Sequence, residues 1–118
     1  MALTKKQIAT WGKRLDSANT DADLARDLWE LARQLANQNE ELWADLVRLL
    51  QPWTEAHASL LGSDAQVVYW QGRLAANTSN ADRARTLGDL ARKLATQDVA
   101  LWADLVRLLR PWTQAHMS

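Results

Sequence analysis

The stretch LWADLVRLL at Leu42–Leu50 recurs unchanged at Leu101–Leu109. Its apolar residues fall three and four apart, the period of a helix with one buried side. Outward from it the match continues. WGKRL from Trp11 aligns with WQGRL from Trp70, ADLARDLWELARQLA from Ala22 with ADRARTLGDLARKLA from Ala81, and LLQPWTEAHAS with LLRPWTQAHMS. The offset is the same from Trp11 against Trp70 to His57 against His116, no gap is needed, and more than half the aligned positions are identical. The chain is an internal duplication, natural or engineered, with units from about Thr4 to Ser59 and from Ser63 to Ser118. As structural units these extend over 1–61 and 62–118 and form one compact domain. The period matches no standard solenoid, and two copies make a pseudo-dimer more readily than an array.

Composition narrows the function. Of 118 residues 47% are hydrophobic, enough for a core, and 14 basic residues balance 14 acidic ones. A neutral chain has no general electrostatic attraction to nucleic acid or an anionic membrane. No apolar run approaches the ~18 residues of a membrane span, and the opening MALTKKQIATWGKRL lacks the apolar core of a secretory signal. There is no cysteine, which excludes disulfide and thiolate chemistry and fits a cytoplasmic location. The aromatic inventory is lopsided, with seven Trp, one Tyr and no Phe. The first unit, 4–59, holds seven basic and nine acidic residues, and the second, 63–118, seven and five. The halves thus carry opposite formal charges of equal size.

Each unit reads as three helices. Thr4 and Ser63 cap the first, whose apolar face in the first copy is Ile8, Trp11, Leu15 and Ala18. Thr20 with Asp23, and Ser79 with Asp82, resemble capping boxes that open the second. That helix carries Leu24, Leu28, Leu31 and Leu35 beside an alanine edge of Ala25, Ala32 and Ala36. Asn39 and Asp98 cap the third. Short connections make successive helices antiparallel neighbours, so a unit is an up-down-up arrangement. Gly62 suits the position after a helix end, and Ser63 the next cap. The fold expected is all-α: a six-helix bundle of two tandem homologous three-helix units, related by a pseudo-twofold and packed on a shared core.

The third helix carries two apolar stripes, Leu42, Leu46, Leu49, Trp53 and Ala56, and Trp43, Val47, Leu50, Thr54 and His57. One stripe buries a helix within its unit. A second implies contact from another direction, by the other unit or a partner chain. Pro52 and Pro111 lie inside this helix, where each forfeits a hydrogen bond near Arg48 or Arg107. A kink is expected rather than a break, because Gln51 and Arg110 are poor caps for a fresh helix.

Candidate sites are few. Trp43, Trp53, Trp102 and Trp112 are read as core and interface, with a Trp-lined ligand groove as the alternative. His57 and His116, the only histidines, occupy equivalent places. A pseudo-twofold could pair them as haem or zinc ligands, although no convergent ligands accompany them. The simpler reading is a histidine bonding locally at a helix C-terminus. Arg26, Arg33, Arg85 and Arg92 lie on the charged side of the second helix, as an interaction face or as ion-pair ladders. A helix-turn-helix reading fails because its recognition helix would be too apolar for a DNA groove. No nucleophile–base motif or phosphate-binding glycine loop is present. The function expected is therefore a non-enzymatic helical interaction or scaffold module. It would bind protein, as monomer or homodimer, with no cofactor, no nucleic acid and no membrane. The alternative is a small-molecule, haem or metal binder built on the tryptophan groove and His57/His116.

The copies differ pointedly at one place: Trp29 of the first is Gly88 in the second. An axis between the second helices would set Trp29 against Gly88. An axis between the third helices, the arrangement favoured on sequence, would leave Gly88 facing a groove or solvent.

Overall fold

The computed structural model describes residues 3–117. Met1, Ala2 and Ser118, which the sequence reading places at the outer ends of the units, lie outside the described residues. Among the described residues there are six α-helices and no strand: α1 (Lys5–Asp16), α2 (Asp21–Asn37), α3 (Glu41–Ala56), α4 (Asp64–Ala76), α5 (Asn80–Gln97) and α6 (Ala100–His116), with a single 3-10 turn at Ala58–Leu61 after α3. No helix is long and apolar enough to cross a membrane.

The helix starts follow from local hydrogen bonding. Thr4 Oγ1 accepts from the Gln7 N–H at 3.1 Å, and Gln7 Oε1 accepts from the Thr4 N–H at 2.9 Å, a full capping box. Thr20 and Ser79 each accept from the backbone N–H three residues on, both at 3.1 Å. Asn39 and Asp98 are not the caps of α3 and α6: Glu40 and Val99 hold those positions, with no side-chain cap bond, while Asn39 and Asp98, two residues before each helix, accept from the N–H of Glu41 and Ala100 at 3.1 Å. Gly62 closes the 3-10 turn with φ at 80°, a left-handed conformation that costs glycine little.

Both prolines stay inside continuous helices. Two residues after each, a buried threonine turns its hydroxyl back on the helix. Thr54 donates to the Gln51 carbonyl and Thr113 to the Arg110 carbonyl, both at 2.9 Å. That contact satisfies a polar group that would otherwise be buried alone.

The halves are not separate three-helix bundles. The most extensive pairings are α2 with α6 and α3 with α5, each crossing from one half to the other, while α1 lies on α2 and α4 on α5. Direction follows from side chains. Arg26, early in α2, lies over Trp102, early in α6. Leu31 and Leu35, further along α2, share an apolar cluster with Trp112 and Met117 at the end of α6. These helices therefore run parallel. Arg85 over Trp43 gives α5 and α3 the same relation. The two or three residues between α2 and α3, and between α5 and α6, turn those pairs antiparallel. The principal core draws on both halves, with Leu28, Leu46, Leu50, Leu87, Leu94 and Leu109 wholly enclosed. In the third helix the second stripe meets the opposite half: Trp43 lies beneath Arg85, and Leu50 lines a void with Gly88 and Trp102.

Gly88 is where the structure departs from the favoured reading. It faces neither groove nor solvent. A Cβ built there would stand 2.5 Å from Cε2 and 2.9 Å from Nε1 of Trp29, and closer still to Cζ2. Trp29 is itself 5% exposed. The indole fills the space a side chain at 88 would take, so the missing side chain is a packing requirement.

Candidate functional site

The tryptophans are anchored within the fold. Trp43 and Trp102 are 4% and 5% exposed, each roofed by an arginine of the other half at 4.9 Å from Cζ to ring centre. Such a cation over a ring is an attraction of ~0.5–1 kcal/mol or more when partly desolvated. Trp53 and Trp112 are half-buried. Each lies tilted against the histidine four residues later, with ring centres 4.6 and 4.5 Å apart.

His57 and His116 make the same local bond. The Nδ1–H of each donates to the carbonyl of Trp53 or Trp112, four residues earlier, at 2.8 Å. The two imidazoles are not brought together. The end of α3 lies against α4 and α5, whereas the end of α6 lies against α1 and α2. Since α6 runs with α2 and α3 against it, the histidines sit at opposite ends of the core. A shared haem or zinc site at His57 and His116 has no geometry here. Among the described residues no group of three or more His, Asp or Glu side chains is arranged to hold a metal. Each histidine's bond is worth ~1 kcal/mol, so His57→Ala and His116→Ala each lower the melting temperature by a few degrees. Excess haemin or zinc leaves that of the parent unchanged in a thermal-shift assay.

The four arginines do not form one patch. Arg26 and Arg85 lie on Trp102 and Trp43 and each pairs with an aspartate, Asp23 or Asp82, at 3.6 Å. They stand at opposite ends of the core, because α5 runs against α2. Arg92 pairs with Asp89 at 2.9 Å, and Arg33 is exposed on α2. The link of Arg26 and Arg85 to the opposite half escaped the sequence reading. Its one sequence signal was the retention of both Arg and Trp in each copy. Arg14, bonded to Glu30 and close to Asp27, has its pKa raised above the ordinary value, the Glu30 hydrogen bond being the largest cause.

Two clefts occupy equivalent places. One, of about 430 Å³, lies between α1 and the end of α6, over Leu28 and Thr113. The other, of about 190 Å³, lies between α4 and the end of α3, over Leu87 and Thr54. Gly12 in the wider cleft stands where the narrower one has Gln71. Beside them the indoles differ. Trp11 Nε1 donates to Gln34 Oε1 at 2.9 Å. Trp70 Nε1 is buried with no partner, because Lys93 occupies the position equivalent to Gln34 and offers no acceptor. Lys93→Gln therefore supplies the missing acceptor and stabilises the chain by ~0.5–1.5 kcal/mol, read as a higher urea midpoint. An unchanged or lower midpoint would show that the indole does not need this partner.

The outer side of α4 is the remaining feature. Ala65, Val68, Tyr69, Gly72, Ala75 and Ala76 recur at helical spacing and are all exposed. Val68 is 65% and Tyr69 55% exposed. The equivalent positions of α1 are Lys6, Ala9, Thr10, Lys13, Asp16 and Ser17, an ordinary solvated face apart from Ala9. A surface helix is normally apolar on one side only. α4 buries Trp70 inward and presents a second apolar side outward. Sequence reading missed this by treating the first helices as equivalent, although comparing the copies position by position shows the change.

No protein-family model, curated protein or solved structure matches the chain.

Proposed function

We propose that this chain is a non-enzymatic helical interaction module that recognises protein through the outer face of α4. The observation that carries the reading is that face itself: six exposed, uncharged positions where the duplicate helix α1 is polar at all but one. An exposed apolar patch on an otherwise charged surface marks an interaction site. We further read the fold as two tandem units, 1–61 and 62–118, related by a pseudo-twofold. Three matched features support this: the reciprocal Arg26–Trp102 and Arg85–Trp43 contacts, both at 4.9 Å, the paired clefts, and the crossed pairings of α2 with α6 and α3 with α5. The core would then be the rigid scaffold and α4 the variable binding element. The neutral charge argues against nucleic acid, the absence of cysteine accords with a cytoplasmic setting, and the reading calls for no cofactor. A photo-crosslinking side chain at position 69 tests it, with position 10 of α1 as control, in an extract of cells that express the chain. The expected result is a discrete crosslinked product from 69 and none from 10. Equal labelling at both positions, or none at 69, overturns the reading.

A further inference from the structure

We propose that the connection between the halves, residues 57–63, is a hinge that holds the chain as a monomer, and that when it straightens two chains exchange halves. The resulting dimer repeats the core contacts of the monomer. The main pairings of each half are with the other half: α2 with α6 and α3 with α5. The Trp29 ring lies against Gly88, Arg26 over Trp102 and Arg85 over Trp43. All of these form equally well when the opposite half belongs to a second chain. No new surface is required, because the interface is the core itself. Each first half takes the second half of the other chain, so the pair closes on itself and leaves no half free to extend a filament.

The turn that keeps the halves of one chain together is local. After α3 the 3-10 turn Ala58–Leu61 contains no buried residue, and the Leu60 N–H donates to the His57 carbonyl at 3.0 Å. Gly62 then reverses the chain with φ at 80°, the only positive φ among the described residues. Ser63 is extended, and its Oγ accepts from the Gln66 N–H at 3.3 Å to start α4. Leu60 and Leu61, half-buried against the core, keep the turn closed. A 3-10 turn is already close to α-helical, so straightening falls mainly on Gly62 and Ser63. The product would be one continuous helix from α3 into α4. Its direction fits. The residues between α4 and α5 turn α4 back on α5, which runs with α3, so α4 runs against α3. Two straightened α3–α4 helices would therefore lie antiparallel, as a twofold pair of chains requires.

Gly62→Ala with Ser63→Ala tests this in the full chain. The pair removes the left-handed turn and the N-cap and favours helix through the hinge. At about 10 µM, where mass action disfavours weak association, the parent should sediment at 13.3 kDa and the variant at twice that mass. Isotope-filtered NMR of labelled and unlabelled variant chains refolded together should then show the Trp29 ring of one chain against Gly88 of the other. A variant that stays monomeric with a cooperative melt overturns the proposal, as does a dimer in which the Trp29–Gly88 contact remains within one chain. If the variant does not fold, the parent decides. Refolded from urea at about 1 mM, where mass action favours pairing, and then diluted, it should retain a dimer with the interchain contact, since the halves must separate before it can revert. Monomer alone after that treatment overturns the proposal.

Discussion

Gly88→Ala lowers the stability of the chain, although alanine is the better helix former. The propensity gain is ~1 kcal/mol, but the new methyl would enter the volume of the Trp29 ring, 2.5 Å from Cε2. Overpacking a close-packed core costs ~1–3 kcal/mol, and a buried indole is a stiff plate with little room to give. Gly88→Trp is worse on the same ground. Trp29→Ala has the largest effect of any single change here, ~3–5 kcal/mol, because it removes a large buried ring that lies against Gly88 of the other half. Combining the changes reverses a sign: in a Trp29→Ala background Gly88→Ala should stabilise, since only the propensity gain remains. Urea denaturation of the four chains measures this as a double-mutant cycle. The exchange of Trp29→Gly with Gly88→Trp tests the proposed twofold, which would return the ring to an equivalent place from the other side. Recovery of most of the parental stability is expected. A Gly88→Ala chain more stable than the parent would show that the ring does not crowd this position.

Neither half should fold alone as the whole chain does. A fragment of residues 1–62 keeps α2 and α3 but loses α6 and α5, their main partners. The apolar surface that α2 and α3 then expose is what drives folding. Circular dichroism of fragment 1–62 or 63–118 should show partial helicity and a broad melt well below that of the full chain. An equimolar mixture should restore a cooperative transition. Mixing is favoured over self-pairing by the Trp29–Gly88 contact. Two first halves in the same arrangement would set indole against indole, and two second halves would face glycine to glycine across a void. The opposite formal charges of the halves add a small term of the same sign. A monomeric 1–62 fragment with a cooperative melt at the full-chain temperature would refute the account.

Local information made much of this molecule legible. Thr4, Thr20, Ser63 and Ser79 cap the helices they were assigned to, because a cap is a bond between residues three apart and needs no tertiary partner. The buried positions of α2 followed from the same logic: Leu28, Leu31 and Leu35 are enclosed along with Ala25, Ala32 and Ala36. The void beside Trp29 and Gly88, about 10 Å³, could not be foreseen, since it depends on the separation of two helices distant in the chain. The α4 face was legible but hidden by the repeat, which invites treating α1 and α4 as interchangeable.

The sequence by itself determined the six helices, most of their ends, the duplication and which side of each core helix is buried, because helix periodicity and capping act over one turn. Only the tertiary structure decided what each buried side meets. It placed α2 on α6 and α3 on α5, put Arg26 and Arg85 over tryptophans of the opposite half, seated Trp29 on Gly88 and sent His57 and His116 to opposite ends. Hydrophobic burial is non-directional: an apolar stripe requires some partner, and the fit of side chains between helices selects which one.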